Sequence, residues 1–127
     1  MKKQNVQENE ILTEEEVIVD QASPIDKIAE ELKAKHNLKE VFITDIADQK
    51  IVWRKLKRSE YKEAMTREYD ENEDLAYFER QDFVASKVIL YPENVEELLE
   101  DFAGIADIIA TETMIKTGFG LTSTKAV

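Results

Sequence analysis

Glycine scarcity is the feature that most limits which folds this chain can adopt. Its 127 residues contain three glycines, at Gly104, Gly118 and Gly120, so the first 103 residues contain none. Glycine-rich phosphate-binding loops and the G-x-S-x-G turn of serine hydrolases need glycine where the backbone turns sharply or approaches a ligand closely. The sequence contains neither motif, so it lacks the loops on which many nucleotide-binding and hydrolytic enzymes depend.

Side chains that carry covalent or metal chemistry are also scarce. Cysteine is absent and His36 is the only histidine, which excludes thiolate catalysis, disulfides and a zinc site built from cysteine and histidine. His36 follows Lys33 and Lys35 in a run typical of the last turn of a helix, where basic residues interact favourably with the helix dipole. We therefore interpret His36 as a helix-end residue rather than a ligand or a base.

Aspartate and glutamate, 28 in all, are the remaining candidates for catalysis or metal binding. The cluster at residues 70–74 resembles a calcium-binding EF-hand loop in composition only, because the loop glycine is missing and Gln81 occupies the twelfth position. General acid–base catalysis needs two carboxyl groups in one cleft, whereas most acids here fall on polar helix faces. The sequence predicts no enzyme activity, no cofactor and no metal.

The charge balance limits the kinds of partner that this chain can bind. A formal net charge of −11 would repel the phosphates of a nucleic acid. No apolar run approaches the roughly 20 residues of a membrane span, and the amino terminus lacks the apolar segment of a signal peptide. We expect a cytoplasmic protein that binds neither nucleic acid nor membrane, and oligomerisation stays open.

Composition divides the chain into three parts. Residues 1–23 are predicted to be an acidic, flexible tail of unassigned role, residues 24–120 a single globular domain, and residues 121–127 a flexible tail. The β-branched run at residues 17–19 has two interpretations: a strand that joins a sheet edge or a partner, or an apolar piece of linker.

Periodicity predicts an α+β fold that is mainly helical, with one β-hairpin at about residues 39–57 packed by helices. Ser23 and Pro24 are a typical N-cap and first helical residue, and apolar residues follow at spacings of three and four. Alternating β-rich runs on either side of residues 47–50 predict the hairpin. Further helices are expected from an N-cap at Ser59, over residues 74–90, from an N-cap at Asn94, and over 105–117, with Gly118 ending the last one.

Apolar side chains surround the last predicted helix. Residues 105–115 place isoleucine, alanine and methionine on several faces, and a domain of this size has few internal places to bury all of them. Two interpretations stay open, namely a core helix and a surface that another protein covers.

Two sequence blocks, taken together, resemble a known family. The first is residues 52–61, VWRKLKRSEY, where a strand ends in Arg-x-Leu-x-Arg and leads into Glu-Tyr at a helix start. The second combines an apolar-Tyr-Pro stop at residues 88–92, Ala-Gly-Ile at 103–105 and Thr-Gly-Phe at 117–119. Over about residues 38–120 this order is similar to that of the small acidic tail assembly chaperones of contractile-tailed bacteriophages.

The resemblance implies a function. Such a protein would bind the long tape measure protein, or another tail component, in the host cytoplasm and keep its hydrophobic helices soluble before the tail polymerises. The resemblance implies no catalytic residues. The candidate partner-binding residues are Ile109, Met114, Ile115 and Phe119 on one apolar face, with Tyr91 and Trp53 as anchors at its rim.

Two other functions remain as alternatives. A structural subunit of the virion, in the tail, neck or baseplate, would share the fold and stay in the particle. An acidic inhibitor would bind a basic protein through charge, and its binding would weaken steeply as salt rises. The chaperone interpretation instead predicts an apolar interface that tolerates salt.

Overall fold

The computed structural model describes residues 23–120 and 122–127, and within them it confirms the predicted α+β, mainly helical class. The elements, in chain order, are α1 (Pro24–Lys35), β1 (Phe42–Ile46), β2 (Gln49–Trp53), α2 (Arg58–Thr66), α3 (Glu73–Val88), β3 (Ile89–Tyr91), α4 (Val95–Asp101) and α5 (Ile105–Met114). The chain divides into two compact units, 1–37 and 38–127, so α1 groups with the first unit rather than with the rest of the expected domain.

The expected terminal tails are only partly described. Residues 122–127 carry no helix or strand. The acidic segment upstream of Ser23, including the β-branched run at 17–19, lies outside the described residues, and so does residue 121. Among the described residues, no helix is long and apolar enough to cross a membrane.

The first helix begins and ends where the sequence predicted. The Ser23 hydroxyl accepts a hydrogen bond from the Asp26 N–H at 3.3 Å, and the Ser23 N–H donates to the Asp26 carboxylate at 3.3 Å. This reciprocal capping box satisfies donors that a helix start leaves unpaired. His36 follows the last helical residue, and Asn37 adopts a left-handed φ of 54° that turns the chain away.

The predicted hairpin forms with a tighter turn than expected. Strands β1 and β2 pair antiparallel from Phe42 opposite Trp53 to Ile46 opposite Gln49, which leaves only Ala47 and Asp48 in the turn. Both turn residues have positive φ, at 51° and 65°, as a two-residue turn that follows the strand twist requires.

A third strand, β3, was not predicted. It pairs antiparallel with β2, so the sheet order is β1-β2-β3. The helix expected to reach residue 90 therefore ends at Val88, whose carbonyl accepts a hydrogen bond from the Arg54 N–H at 3.0 Å. Ile89 and Leu90 fit a helical apolar stripe and a strand equally well, and pairing with β2 decides between them.

Helix starts agree with the sequence to within two residues. Helix α2 begins at Arg58 rather than after Ser59, because the Glu60 carboxylate accepts a hydrogen bond from the Lys57 N–H at 2.9 Å. Asn72 caps α3, and Asn94 caps α4 as predicted, with its side-chain oxygen accepting from the Glu97 N–H at 3.2 Å.

The hydrophobic core of the second unit lies between the sheet and the helices. Helix α3 packs against α5 and α2, and α4 packs against α5. Burial of apolar surface from all these elements is the main force holding them together. The largest fully buried side chains are Trp53, Ile51, Ile105, Ile109, Val52, Val84, Val88 and Thr113.

The last helix changes its winding before it ends. Helix α5 stops at Met114, and residues Ile115–Phe119 continue as a single π-helical turn, so the expected α-helix to residue 117 is shorter than predicted. Gly118 has a φ of 118°, a conformation that glycine adopts without the steric cost of a side chain. It adopts the left-handed conformation expected of a helix-ending glycine, but it lies within the π-helical turn, four residues beyond the end of α5.

Candidate protein-binding surfaces

Helix α5 buries one face and exposes the other. Ile105, Ile109 and Thr113, spaced four residues apart, are 0% exposed and belong to the face packed inside the protein. The expectation that Ile109 lies on an accessible contact face is therefore wrong. Ile108 and Ile115, seven residues apart, are 43% and 44% exposed on the other side of the helix.

The end of the chain's last helical segment carries an apolar surface. Phe119 is 54% exposed and stacks on the Tyr61 ring, with ring centres 4.8 Å apart. Ile115 precedes it by one turn, and Met114 is half-buried at the edge of the core. We call Tyr61, Met114, Ile115 and Phe119 the carboxy-terminal apolar surface, and three of its residues are predicted partner-binding residues.

The two predicted rim anchors occupy other positions. Trp53 is 1% exposed, its indole N–H donates to the Thr44 hydroxyl at 2.8 Å, and its ring centre lies 4.6 Å from that of Phe42. It is a core residue, so its proposed place at the rim is wrong. Tyr91 is half-buried on β3, opposite Val52.

Two close contacts hold the carboxy-terminal apolar surface in place. The Thr117 hydroxyl accepts a hydrogen bond from the Leu56 N–H at 3.3 Å, which ties the π-helical turn to the segment after β2. Gly120 lies so near Ile115 that a Cβ atom at residue 120 would come within 3.0 Å of the Ile115 Cγ2. These contacts, together with the stacking of Phe119 on Tyr61, fix the π-helical turn that carries Ile115 and Phe119.

Sequence reasoning missed an ion pair between Arg54, which follows β2, and Glu60 on α2. The Arg54 guanidinium makes two hydrogen bonds to the Glu60 carboxylate, at 2.9 and 2.8 Å, and a third to the Lys87 carbonyl at 2.7 Å. The side chains of Arg54 and Glu60 are only 14% and 16% exposed. The arginine and glutamate of the first resemblance block therefore join β2, α2 and the end of α3.

The environment of Glu60 favours its ionised form. Burial alone would raise the pKa of the Glu60 carboxyl group. The hydrogen bonds from Arg54 and from the Lys57 N–H, together with the positive charges of both residues, outweigh burial and hold this pKa below its ordinary value. Both oxygens of this carboxylate accept hydrogen bonds from Arg54, and one also accepts from the Lys57 N–H, so we assign Glu60 a structural role.

A second apolar set lies on the first half of α3. Leu75, Tyr77 and Phe78 are 51%, 47% and 50% exposed, and the rings of Tyr77 and Phe78 meet edge to face at 5.3 Å. The buried residues of α3 are instead concentrated towards its end, from Phe83 to Val88.

A groove of about 740 Å³ lies between the α2–α3 connection, α3 and α4. We call it the acidic groove, because six carboxylates and one guanidinium are among its lining groups. Its lining residues are Arg67, Glu68, Tyr69, Asp70, Glu79, Asp82, Phe83, Ser86, Glu96, Leu99 and Glu100. The sequence showed these acids only as separate polar helix faces, and the packing of α4 beside α3 brings them together.

The electrostatics of the acidic groove are unfavourable at Asp82. Asp82 is exposed as a residue, but partial burial of its carboxyl group raises its pKa, and the nearby negative charges of Asp107, Glu100 and Glu79 raise it further. Within residues 23–120 and 122–127, no set of three acidic or histidine side chains converges closely enough to hold a metal ion.

No family model, curated protein or solved structure matches this chain. The similarity to phage tail assembly chaperones therefore rests on the residue blocks described above. Their structural context is a strand that ends just before the half-buried Arg54, a helix that begins two residues before Glu60, and a π-helical turn that ends in the exposed Phe119.

Proposed function

We propose that this protein is a phage tail assembly chaperone, which binds apolar helices of the tape measure protein in the host cytoplasm and keeps them soluble until the tail polymerises. One observation carries the proposal. The carboxy-terminal apolar surface leaves Ile115 and Phe119 about half exposed at the end of a helix whose opposite face forms the core. Exposed apolar side chains that lie together are typical of a surface that another protein covers.

The shape of the surface supports an apolar, helical client. Ile108 on α5 and Ile115 just after it lie seven residues apart, about two helical turns, and both are exposed, while the exposed Phe119 ends the π-helical turn that follows. An amphipathic helix packed alongside would place apolar residues at spacings of three and four against these side chains. The −11 net charge would keep such a complex dispersed.

Co-expression with an apolar tape measure segment tests the proposal. We expect the wild-type chain to raise the soluble fraction of the segment, and Ile115→Asp and Phe119→Asp to abolish this rescue. Ile43→Asp is the matched control, because Ile43 is 40% exposed on β1, outside the carboxy-terminal apolar surface. Circular dichroism of each purified variant establishes that it is folded. Rescue that persists in both surface variants, or fails with the wild-type chain, would contradict the proposal.

The two alternative functions differ from the chaperone function in whether the protein stays in the virion and in whether its binding depends on charge. A structural virion subunit would be found at a fixed copy number in purified particles, whereas a chaperone would be absent from them. An acidic inhibitor would lose its partner between low and moderate salt, whereas an apolar interface would hold. Mass spectrometry of virions and a salt titration of the isolated complex separate these outcomes.

A further inference from the structure

The acidic groove shares no residue with the carboxy-terminal apolar surface and has a different chemistry. We propose that it binds a cationic, amphipathic segment of another protein, with apolar side chains on its floor and lysine or arginine side chains at its rim. The inference goes beyond the proposed function and does not depend on it.

The floor of the acidic groove offers apolar contact. Phe83 is 8% exposed, Leu99 is half-buried, and both line the groove. Tyr69 lies in the same wall, and its hydroxyl oxygen is buried without a hydrogen-bond partner among the described residues. A floor of this kind gives an apolar side chain something to pack against, which a purely acidic surface does not.

The rim of the acidic groove carries negative charge that the protein does not neutralise. Lysine and arginine form three salt bridges among the described residues, with Asp45, Glu60 and Glu40, and none of them reaches a groove carboxylate. Arg67 is the one cation among the lining residues, and its guanidinium lies 4.8 Å from the centre of the Phe83 ring. Lys87 lies 5.3 Å from the same ring and Arg80 lies 5.5 Å from the Tyr69 ring, so these cations sit over the aromatic rings of the floor and form no salt bridge with the rim carboxylates. Partial burial, and then the negative charges of Asp107, Glu100 and Glu79, raise the pKa of Asp82, and an incoming cation would offset the repulsive part of this effect.

The distribution of the carboxylates favours an extended ligand over a single ion. They come from the α2–α3 connection, α3 and α4, and the described acids do not converge on a point that would hold a metal. Several cations spaced along a peptide match this arrangement, and electrostatic complementarity of this kind speeds encounter and selects the partner.

A second copy of this chain is a poor occupant of the acidic groove. Each copy carries a net charge of −11, so two copies repel each other before any contact forms. A basic segment from a different protein has the complementary sign, and we therefore assign the groove to such a partner.

Fluorescence anisotropy with a labelled amphipathic peptide of lysine and leucine, about four helical turns long, tests the assignment. The double variant Asp82→Asn with Glu100→Gln removes two rim charges. The double variant Glu30→Gln with Glu31→Gln removes the same charge from α1, outside the acidic groove. We expect the groove variant to weaken binding at least about fivefold and the α1 variant to change it less than about twofold.

A scrambled peptide of the same composition separates shape from charge. It keeps every lysine but cannot present them along one helical face, so we expect it to bind less tightly than the amphipathic form. Backbone amide chemical shifts locate the contact, and we expect the largest changes at Tyr69, Phe83 and Leu99.

Three results would overturn the proposal. The first is equal weakening by the two double variants, which would mean diffuse attraction to an acidic protein. The second is equal binding of the scrambled peptide. The third is concentration-dependent self-association that the groove variant abolishes, which would assign the groove to a second copy. None of these measurements uses Ile115, Phe119 or a tape measure segment, so they are independent of the chaperone test.

Discussion

Arg54 and Glu60 face each other in a two-pronged ion pair, in which each terminal nitrogen of the guanidinium donates to a different carboxylate oxygen. Such pairs have a fixed geometry as well as a charge interaction. Because Arg54 also donates to the Lys87 carbonyl, one side chain links the end of β2 to the start of α2 and the end of α3. The Phe119 ring stacks on Tyr61, the residue after Glu60, so this link also positions the platform of the carboxy-terminal apolar surface.

Removing the charge of Glu60 should cost much of the stability of the fold. We expect Glu60→Gln to lower the free energy of unfolding by about 2 to 3 kcal/mol, because it leaves the guanidinium of Arg54 largely buried without a counter-charge. Urea denaturation followed by the fluorescence of Trp53, the single tryptophan, measures the change. Asp45→Asn breaks an exposed pair with Lys50 and should cost less than about 1 kcal/mol. Equal losses in the two variants would contradict the structural role assigned to the Arg54–Glu60 pair.

The stabilising effect of Glu60 should depend on pH in a defined direction. A carboxyl group whose native pKa is lowered stabilises the fold fully above its unfolded pKa and loses that effect as pH falls through the native pKa. The difference in unfolding free energy between the wild type and Glu60→Gln should therefore be constant above about pH 6 and shrink below the ordinary value of 4.5. Denaturation series at several pH values provide the check, and a difference that grows towards acid would contradict it.

The effect of Asp82 on the stability of the fold should depend on pH in the opposite direction to that of Glu60. Its native pKa is raised, so the ionised carboxylate destabilises the fold at neutral pH, and protonation relieves this as pH falls. We expect Asp82→Asn to raise stability by about 0.5 kcal/mol at neutral pH, a small effect because the residue is exposed and solvent screens its charge. This advantage should decline as pH falls through the raised pKa of Asp82. Thermal unfolding at neutral and acidic pH measures the stability gain and its decline. If Asp82→Asn is less stable than the wild type at neutral pH, the ionised Asp82 does not destabilise the fold.

Local sequence signals predicted the start of each helix well because the caps are short-range chemistry. Ser23 and Asn94 accept hydrogen bonds from backbone N–H groups three residues further along, so their roles follow from neighbours in the chain. The third strand could not be predicted in the same way, since Ile89 joins a sheet only because β2 is available beside it. Pairing between strands that are distant in the sequence depends on the tertiary structure, and the spacing of apolar residues does not predict it.

The candidate surfaces were only partly predictable for the same reason. An isoleucine-rich helix must bury some of its apolar side chains, but the sequence did not show which side of the helix faces α3. Ile109 was therefore predicted on the exposed side, whereas it is fully buried. The acidic groove requires Asp82 and Glu100 to meet across two helices, and their separation in sequence hides this. Ile115 and Phe119 were identified correctly as exposed residues, because they follow the last turn that the core can cover.

Two isoleucines of the last helical segment should respond differently to truncation. Ile109→Ala removes a fully buried side chain and should lower the unfolding free energy by about 2 to 4 kcal/mol through lost burial and a cavity. Ile115→Ala, at 44% exposure, should cost less than about 1 kcal/mol. Urea midpoints of the two variants make the comparison. A cost for Ile115→Ala that matches or exceeds that for Ile109→Ala would mean that the face assignment of this helix is incorrect.

Backbone conformation gives a last pair of opposite expectations. Ala47 occupies the hairpin turn with a φ of 51°, which is unfavourable for a residue with a Cβ atom. Ala47→Gly should therefore stabilise the protein by about 0.5 to 1 kcal/mol, after allowing for the greater freedom of glycine in the unfolded chain.

Gly118→Ala places a Cβ atom at a φ of 118°, where the structure offers space but the backbone is strained for any other residue. We expect a loss of about 1 to 2 kcal/mol and weaker stacking of Phe119 on Tyr61. Thermal unfolding of both variants tests the signs. If Ala47→Gly destabilises the protein and Gly118→Ala leaves its stability unchanged, neither residue has the left-handed backbone conformation described here.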